Sequence, residues 1–151
     1  MDHLAIMKKS WGLTKKIISG EKVIESRWYK AKYPPWDRVK KGDRIFFKDS
    51  GCPVTVQAEI KDVKQFENLN SQEVLSILKK YGKDDGIGAE KINDYYEQFK
   101  DKRYAILIFL TNVQKVAPFN VDKKGYRSMA AWICVEDINR MKIQNHKANN
   151  K

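Results

Sequence analysis

The spacing of apolar residues changes period several times along the chain, and each change predicts an element. His3 to Met7 reads as a short first strand. Leu13, Ile17 and Ile18 then fall near one stripe while Lys15 and Lys16 point outward, which predicts a helix over 11–19. Ser10 is placed to cap it and Gly20 to supply the left-handed turn that ends it. Val23 to Trp28 and Arg44 to Lys48 have strand composition. Val54, Val56, Ala58 and Ile60 alternate as the apolar side of a longer strand, and Val63 and Phe66 break the parity, predicting a bulge near Lys61-Asp62. Asn70 and Glu73 form a capping box before a helical stripe of Val74, Ile77, Leu78 and Tyr81 that Gly82 should end. Ile92, Tyr95, Tyr96 and Phe99 repeat that stripe. These two helices are expected to cover a sheet, with their tyrosines in the core. Arg103 to Leu110 is the most strand-like run and is predicted to be central, continuing irregularly past Val113 and Val116 to Pro118. A basic loop over 119–128, a last strand over 129–135, a short helix over 136–142 and a disordered tail over 144–151 complete the chain. The pattern predicts one α+β domain over residues 1–143, without internal repeats.

One stretch, Gly20 to Lys41, concentrates candidate chemistry. Its first part, GEKVIESR, spaces Gly20, Lys22, Glu25 and Arg27 as G-x-K-x-x-E-x-R. Glu25 and Arg27 stand two apart on a strand and so share a face. Lys22 is expected at the turn, beside the carbonyl end of the preceding helix, where a cation is favoured. The second part, WYKAKYPPWDRVKK, alternates rings and cations around Pro34-Pro35. Bases stack on rings while phosphates meet charges, so this loop, with Trp36 at its centre, suits single-stranded nucleic acid. Trp36 folded inward over a barrel end is the alternative.

GEKVIESR, followed by Gly42-Asp43-Arg44 opening the next strand and by strand-helix-strand order, resembles the signature of the ASCH domain (activating-signal-cointegrator homology), a branch of the PUA-like superfamily. The resemblance covers nearly the whole chain. It implies a PUA-like small twisted mixed β-barrel with flanking helices, and a cleft beside the motif associated with RNA, nucleotides or modified nucleosides. Some small members resemble amidohydrolases of acetylated cytidine, using the motif lysine, a threonine three residues later and a downstream glutamate. Lys22 matches the first, Glu25 replaces the threonine, and Asp84, Asp85 and Glu90 lie where the acid would be sought. Other members resemble ribonucleases, for which Lys22 would stabilise phosphorane charge and Glu25 would deprotonate the ribose 2′-hydroxyl.

Composition narrows the partners. The net charge of +11 and pI near 9.6 are segregated: residues 1–50 and 101–151 are basic, and residues 51–100 slightly acidic. That favours a polyanion at the two ends of the chain. No apolar run approaches the roughly 20 residues that span a bilayer, no helix has the lysine-flanked apolar face of a membrane-surface segment, and MDHLAIMKK lacks a secretory leader. Cytoplasmic location without membrane association is the expectation. Two cysteines and two histidines at no ligand spacing imply no metal site and no cofactor.

The candidate ligand-binding set is therefore Lys22, Glu25, Arg27, Trp28 and Trp36. Lys48 and Ser50 join it from a neighbouring strand end, Ser128 from the end of the basic loop and Trp132 from the last strand. In a binder Lys22 and Arg27 hold phosphate or base edges, Glu25 orients Arg27, and Trp28 or Trp36 stacks. In a hydrolase of RNA or a modified nucleoside, Lys22 and Glu25 become catalytic, and the lysine acts as base or nucleophile only if burial lowers its pKa. A coactivator-type module contacting a protein partner needs no cleft chemistry. In the plainest reading Glu25 and Arg27 are an ion pair that pins the barrel.

Overall fold

The computed structural model describes residues 1–126 and 130–143 of the chain. Six strands form one mixed sheet: β1 (Asp2–Met7), β2 (Ile24–Tyr29), β3 (Arg44–Asp49), β4 (Val54–Phe66), β5 (Tyr104–Phe119) and β6 (Trp132–Val135). Their order is β2-β5-β4-β3-β1-β6, with only β1 and β3 parallel. Three helices accompany them: α1 (Leu13–Ser19), α2 (Ser71–Tyr81) and α3 (Ile92–Phe99). The fold is α+β, with the sheet curled into a half-barrel.

The curl follows from the two longest strands. β4 and β5 pair over nearly their whole lengths, but the register slips three times, between Val54 and Val56, Gln57 and Glu59, and Ile60 and Asp62. Each slip leaves a residue unpaired and bends the ladder. The bulge predicted at Lys61-Asp62 is among them. Asn112, at φ +50°, occupies the left-handed region in β5, as asparagine does more readily than most residues. Inside the curl, Ile45, Phe47, Val56, Ala58, Ile106 and Ile108 meet Leu13 and Ile17 of α1, which plugs the half-barrel. Outside it, α2 and α3 cover Ile24, Trp28, Ala105 and Leu107. The start of β5 is thus buried on both faces, which explains its unbroken apolar run.

Several local expectations change. The predicted first helix divides: Lys9–Trp11 is a single 3-10 turn, Gly12 at φ +64° breaks it, and α1 begins only at Leu13. Ser10 therefore caps nothing. Gly20 does end α1 in the left-handed region, at φ +82°. Gly82 follows α2 in right-handed geometry, so its use is space: a Cβ there would fall 2.6 Å from Ile92 Cδ1 of α3 and 2.4 Å from the Leu78 carbonyl oxygen. The capping box of Asn70 and Glu73 forms as predicted. β5 continues past Val113 and Val116 as predicted and takes only Phe119 from the expected basic loop. The last strand contracts to Trp132–Val135, and the expected helix over 136–142 to a 3-10 turn, Ile138–Arg140. The tail expected over 144–151 lies outside the described residues.

Candidate functional site

β2 is an edge strand, paired with β5 alone, and the opposite margin of the sheet is β6 with the end of β1. A closed barrel would carry a ladder between them. Here one side chain crosses the gap. Arg27 donates from Nη1 to the Ala131 carbonyl (3.2 Å) and from Nη2 to the Ile6 carbonyl (3.4 Å), and its guanidinium lies 5.1 Å from the Trp132 ring centre. Beside this bridge, along the open edge of β2, is a cavity of about 230 Å³. Being on an edge, β2 lines it with residues of both faces, Glu25 and Arg27 from one and Ser26 and Trp28 from the other.

Lys22 anchors the floor. Its side chain is 1% exposed. Its ammonium donates to the Ile24 carbonyl (2.6 Å), the Asp85 carbonyl (2.8 Å) and Asp85 Oδ1 (2.5 Å), with Glu25 Oε1 at 3.1 Å. Three N–H donors meet four acceptors, so the group is saturated. It does not cap α1, as the turn position suggested, because it points across to the loop after α2. Burial works against its charge, but the Asp85 and Glu25 carboxylates outweigh that and raise its pKa above the ordinary lysine value. The condition set for Lys22 to act as base or nucleophile, a pKa lowered by burial, is therefore not met here.

The carboxyls differ. Glu25 Oε2 accepts from Arg27 Nε at 2.9 Å. Burial disfavours its charge, yet Lys22 and Arg27 together hold its pKa below the usual carboxylate range. Asp85 shares Lys22 but lies next to Glu25 rather than next to a second cation. Burial, helped by that neighbouring charge, pushes its carboxyl up. Asp85 Oδ2 accepts from Ser26 Oγ at 2.5 Å, and Trp28 Nε1 donates to that same hydroxyl at 3.0 Å.

The loop carrying Asp85 is tied down. Val23 and Ile24 both donate to the Asp84 carbonyl (2.7 and 2.9 Å), and Ile87 N donates to Gly82 O. Gly86, at φ +78°, sits directly on the Lys22 stem, where a Cβ would come within 3.1 Å of Lys22 Cβ. Glycine is required there twice over, by backbone conformation and by close approach.

Walls of the cavity are aromatic. Trp28 stacks on Phe99 of α3, with ring centres 5.1 Å apart and planes 8° from parallel. Tyr95, one turn earlier on α3, meets Trp11 edge-on at 5.4 Å. Both Tyr95 and Phe99 line the cavity, which corrects their assignment to the core alone. No residue of α3 is fully buried. Burial, with nearby Asp85 second, raises the Tyr95 pKa and keeps its hydroxyl a donor.

Of the nine sequence candidates, Lys22, Glu25, Arg27 and Trp28 converge on the cavity. Trp132 stands behind Arg27, buried, donating from Nε1 to His3 Nδ1 at 3.1 Å. Trp36 packs edge-on against Tyr104 at 5.3 Å, away from the lining. Lys48 and Ser50, at the end of β3, are not part of that lining either, and Lys48 has Lys123 as a neighbour. Ser128 lies outside the described residues. Sequence reasoning missed Ser26, Tyr95 and Phe99, and named Asp85 only as one of three acids. The adjacency of Asp84-Asp85 to Gly86 was the one available hint. Among the described residues, no three His, Cys, Asp or Glu side chains are grouped to hold a metal ion, and no helix is long and apolar enough to cross a membrane.

The half-barrel that carries this arginine-bridged seam and ring-walled cavity has the ASCH-domain fold. The crystal structure of ASCH from Zymomonas mobilis matches it with a TM-score of 0.64 and 17% identity, over 95% of this chain and 96% of that one. A mutant form of the same protein gives 0.65 and 18%, over 92% and 93%. An ASCH domain from Lactobacillus crispatus aligns over 72% of this chain and 78% of that one, with a TM-score of 0.42 and 12% identity. No protein-family model and no curated protein matches the sequence. At such identities the likeness to the Zymomonas mobilis structures establishes the fold, and function has to be argued from the site.

Proposed function

We propose that the chain is a nucleic-acid- or nucleotide-binding domain that takes one base or nucleoside into the cavity at the β2 edge. The observation that carries this is the pairing of flat walls (Trp28, Phe99, Tyr95) with a fixed floor of Arg27, Glu25 and Ser26 around about 230 Å³. That volume is below the roughly 300 Å³ at which drug-sized pockets begin, so it suits a single ring system rather than a folded peptide or several bases. A base slides between apolar faces at little desolvation cost, and the floor supplies donors and acceptors for its edge. Arg27 donates, Glu25 accepts, and the unpaired backbone of an edge strand offers both. Lys22 works indirectly, holding Asp85 and Glu25 in place. Residues 1–143 act as one domain in this reading.

The test is titration of the four ribonucleosides and their monophosphates, followed by tryptophan fluorescence, since Trp28 and Trp11 both line the cavity. Saturable quenching that weakens at least tenfold in Arg27→Gln and Tyr95→Ala is expected. Absence of any saturable signal with all eight compounds would sink the reading.

A second reading is favoured by one interaction. The Ser26 hydroxyl already points at the Asp85 carboxyl, whose pKa burial has raised. An acylated nucleoside whose carbonyl sat over Ser26 would meet an oxygen nucleophile able to pass its proton to Asp85 Oδ2. The acyl bond to the nucleoside would then break, with the leaving nucleoside taking that proton from Asp85, and water would hydrolyse the Ser26 ester to release the acid. Hydrolysis of acylated nucleosides in EDTA that disappears in Ser26→Ala but survives Trp36→Ala supports it. Binding without turnover leaves the domain a binder.

A further inference from the structure

We propose that the groove next to the cavity, across Trp11 and Tyr95, receives the sugar-phosphate of the neighbouring nucleotide. The ligand of this face is then a single-stranded nucleic acid rather than a free nucleoside. The inference rests on reading the cavity as a base site and says what lies beyond that base.

The groove has a volume of about 320 Å³ and shares Trp11, Leu13, Ile87 and Tyr95 with the cavity. The edge-on pair of Trp11 and Tyr95 forms the sill between the two hollows. On the cavity side of the sill two carboxyls, Glu25 and Asp85, stand against Lys22 and Arg27, whose charges they already pair. A phosphate placed there would meet two carboxylates with no cation in excess, in a poorly hydrated space, which is costly. Across the sill cations are in excess. Lys16 and Lys91 line the groove, and Asp94 is the acidic group that opposes them. Lys8 adds a third cation at the rim, its ammonium 5.2 Å from the Trp11 ring centre. Lys16 is held in position by the Gly86 carbonyl (2.8 Å) and sits 3.5 Å from Glu21, while about a third of its side chain remains open to solvent. Ser10 and Gln98 add neutral donors. A base in the cavity therefore has beside it a groove where cations are in excess to receive its phosphate, and Trp11 presents a ring there for the next base.

The full chain is titrated with the four ribonucleosides and with hexanucleotides of each base, as RNA and as DNA, across a salt series. Hexamers are expected to bind more tightly than the matching nucleoside, with log K falling as log salt rises. Lys91→Gln and Lys91→Glu should reduce that slope, by about 0.7 for each phosphate no longer neutralised, leaving nucleoside affinity unchanged. The pair Lys16→Gln/Lys91→Gln should reduce it further, and because Lys16 also braces Gly86, only the Lys91 variants keep the loop intact. Hexamers that bind no better than nucleosides overturn the proposal. So does a salt slope that all three variants leave unchanged. Salt-dependent hexamer binding that responds to these lysines, with no nucleoside binding, supports the groove and overturns the base cavity. No binding of either class overturns both. RNA bound over DNA would support the proposal and locate part of the recognition at the 2′-hydroxyl.

Discussion

Two buried polar clusters lie on either side of Trp132, and they have different fates. At one, His3 is fully buried. Its Nδ1 accepts from Trp132 and its Nε2 lies 2.9 Å from Asp43 Oδ2, which also accepts from Lys40 N. At the other, Lys22, Glu25, Asp85 and Arg27 are equally well paired. Both satisfy their hydrogen bonds with protein groups, so neither pairing nor burial distinguishes a site from a brace. The difference is an adjoining hollow. The His3 cluster ties the strand β1 to Trp132 and Asp43 and lines neither the cavity nor the groove, whereas the Lys22 cluster borders a cavity on an unpaired strand edge. Buried charge signals a binding site only where topology leaves space beside it.

The comparison can be broken by removing its anchor. Lys22→Met strands two buried carboxyls and should lower stability by about 3–5 kcal/mol, measured by urea unfolding. A loss within error would mean that the cluster is wet and not a floor at all. Gly86→Ala forces a side chain into the left-handed region and onto the Lys22 stem, and should cost about 1–2 kcal/mol or more, together with nucleoside affinity.

Titration sharpens the contrast, because the clusters respond in different pH windows. Burial depresses the His3 pKa below its ordinary 6.5, with Asp43 only partly offsetting it. The unfolded chain therefore takes up that proton first, and stability should fall as pH drops below about 6.5. Neutral His3 is also what the Trp132 donor requires. Glu25, depressed by Lys22 and Arg27 against its burial, contributes stability that is present above its ordinary 4.5 and lost as pH falls through the lower folded value. Lys22, raised by its carboxylates, contributes below its ordinary 10.5 and loses that contribution as pH climbs through the higher folded value. Denaturant midpoints across pH should show the first step vanish in His3→Gln and the acid step shrink in Glu25→Gln.

The smallest effect belongs to the proline loop. Tyr33 is 50% exposed and touches Tyr29 edge-on. Tyr33→Ala should change stability by less than about 0.5 kcal/mol and leave nucleoside affinity unaltered. A large loss of affinity would restore the ring-and-cation loop as the main binding surface.

Much of the fold was legible because its signals are local. The capping box at Asn70, the stripe of α2, the alternation along β4 and the shared face of Glu25 and Arg27 each depend on residues a few positions apart. Errors arose where packing overrode local preference. Gly12 split a helix that the apolar stripe predicted whole. Gly82 answered to Ile92 across a helix pair rather than to a turn. Phe99 and Tyr95 carry an ordinary core stripe, and nothing in their spacing tells a stripe facing a full core from one facing a hollow.

By itself, the sequence determined the strands and helices, the G-x-K-x-x-E-x-R spacing and the basic ends of the chain, all of them properties of neighbouring residues. Tertiary structure alone decided that Asp85, 63 residues from Lys22, completes the floor, that α3 supplies the wall, and that the seam is bridged by Arg27 instead of a strand. Those outcomes depend on how β4, α2, α3 and β5 fold back upon β2, and no local pattern encodes which distant side chains meet across an open sheet edge.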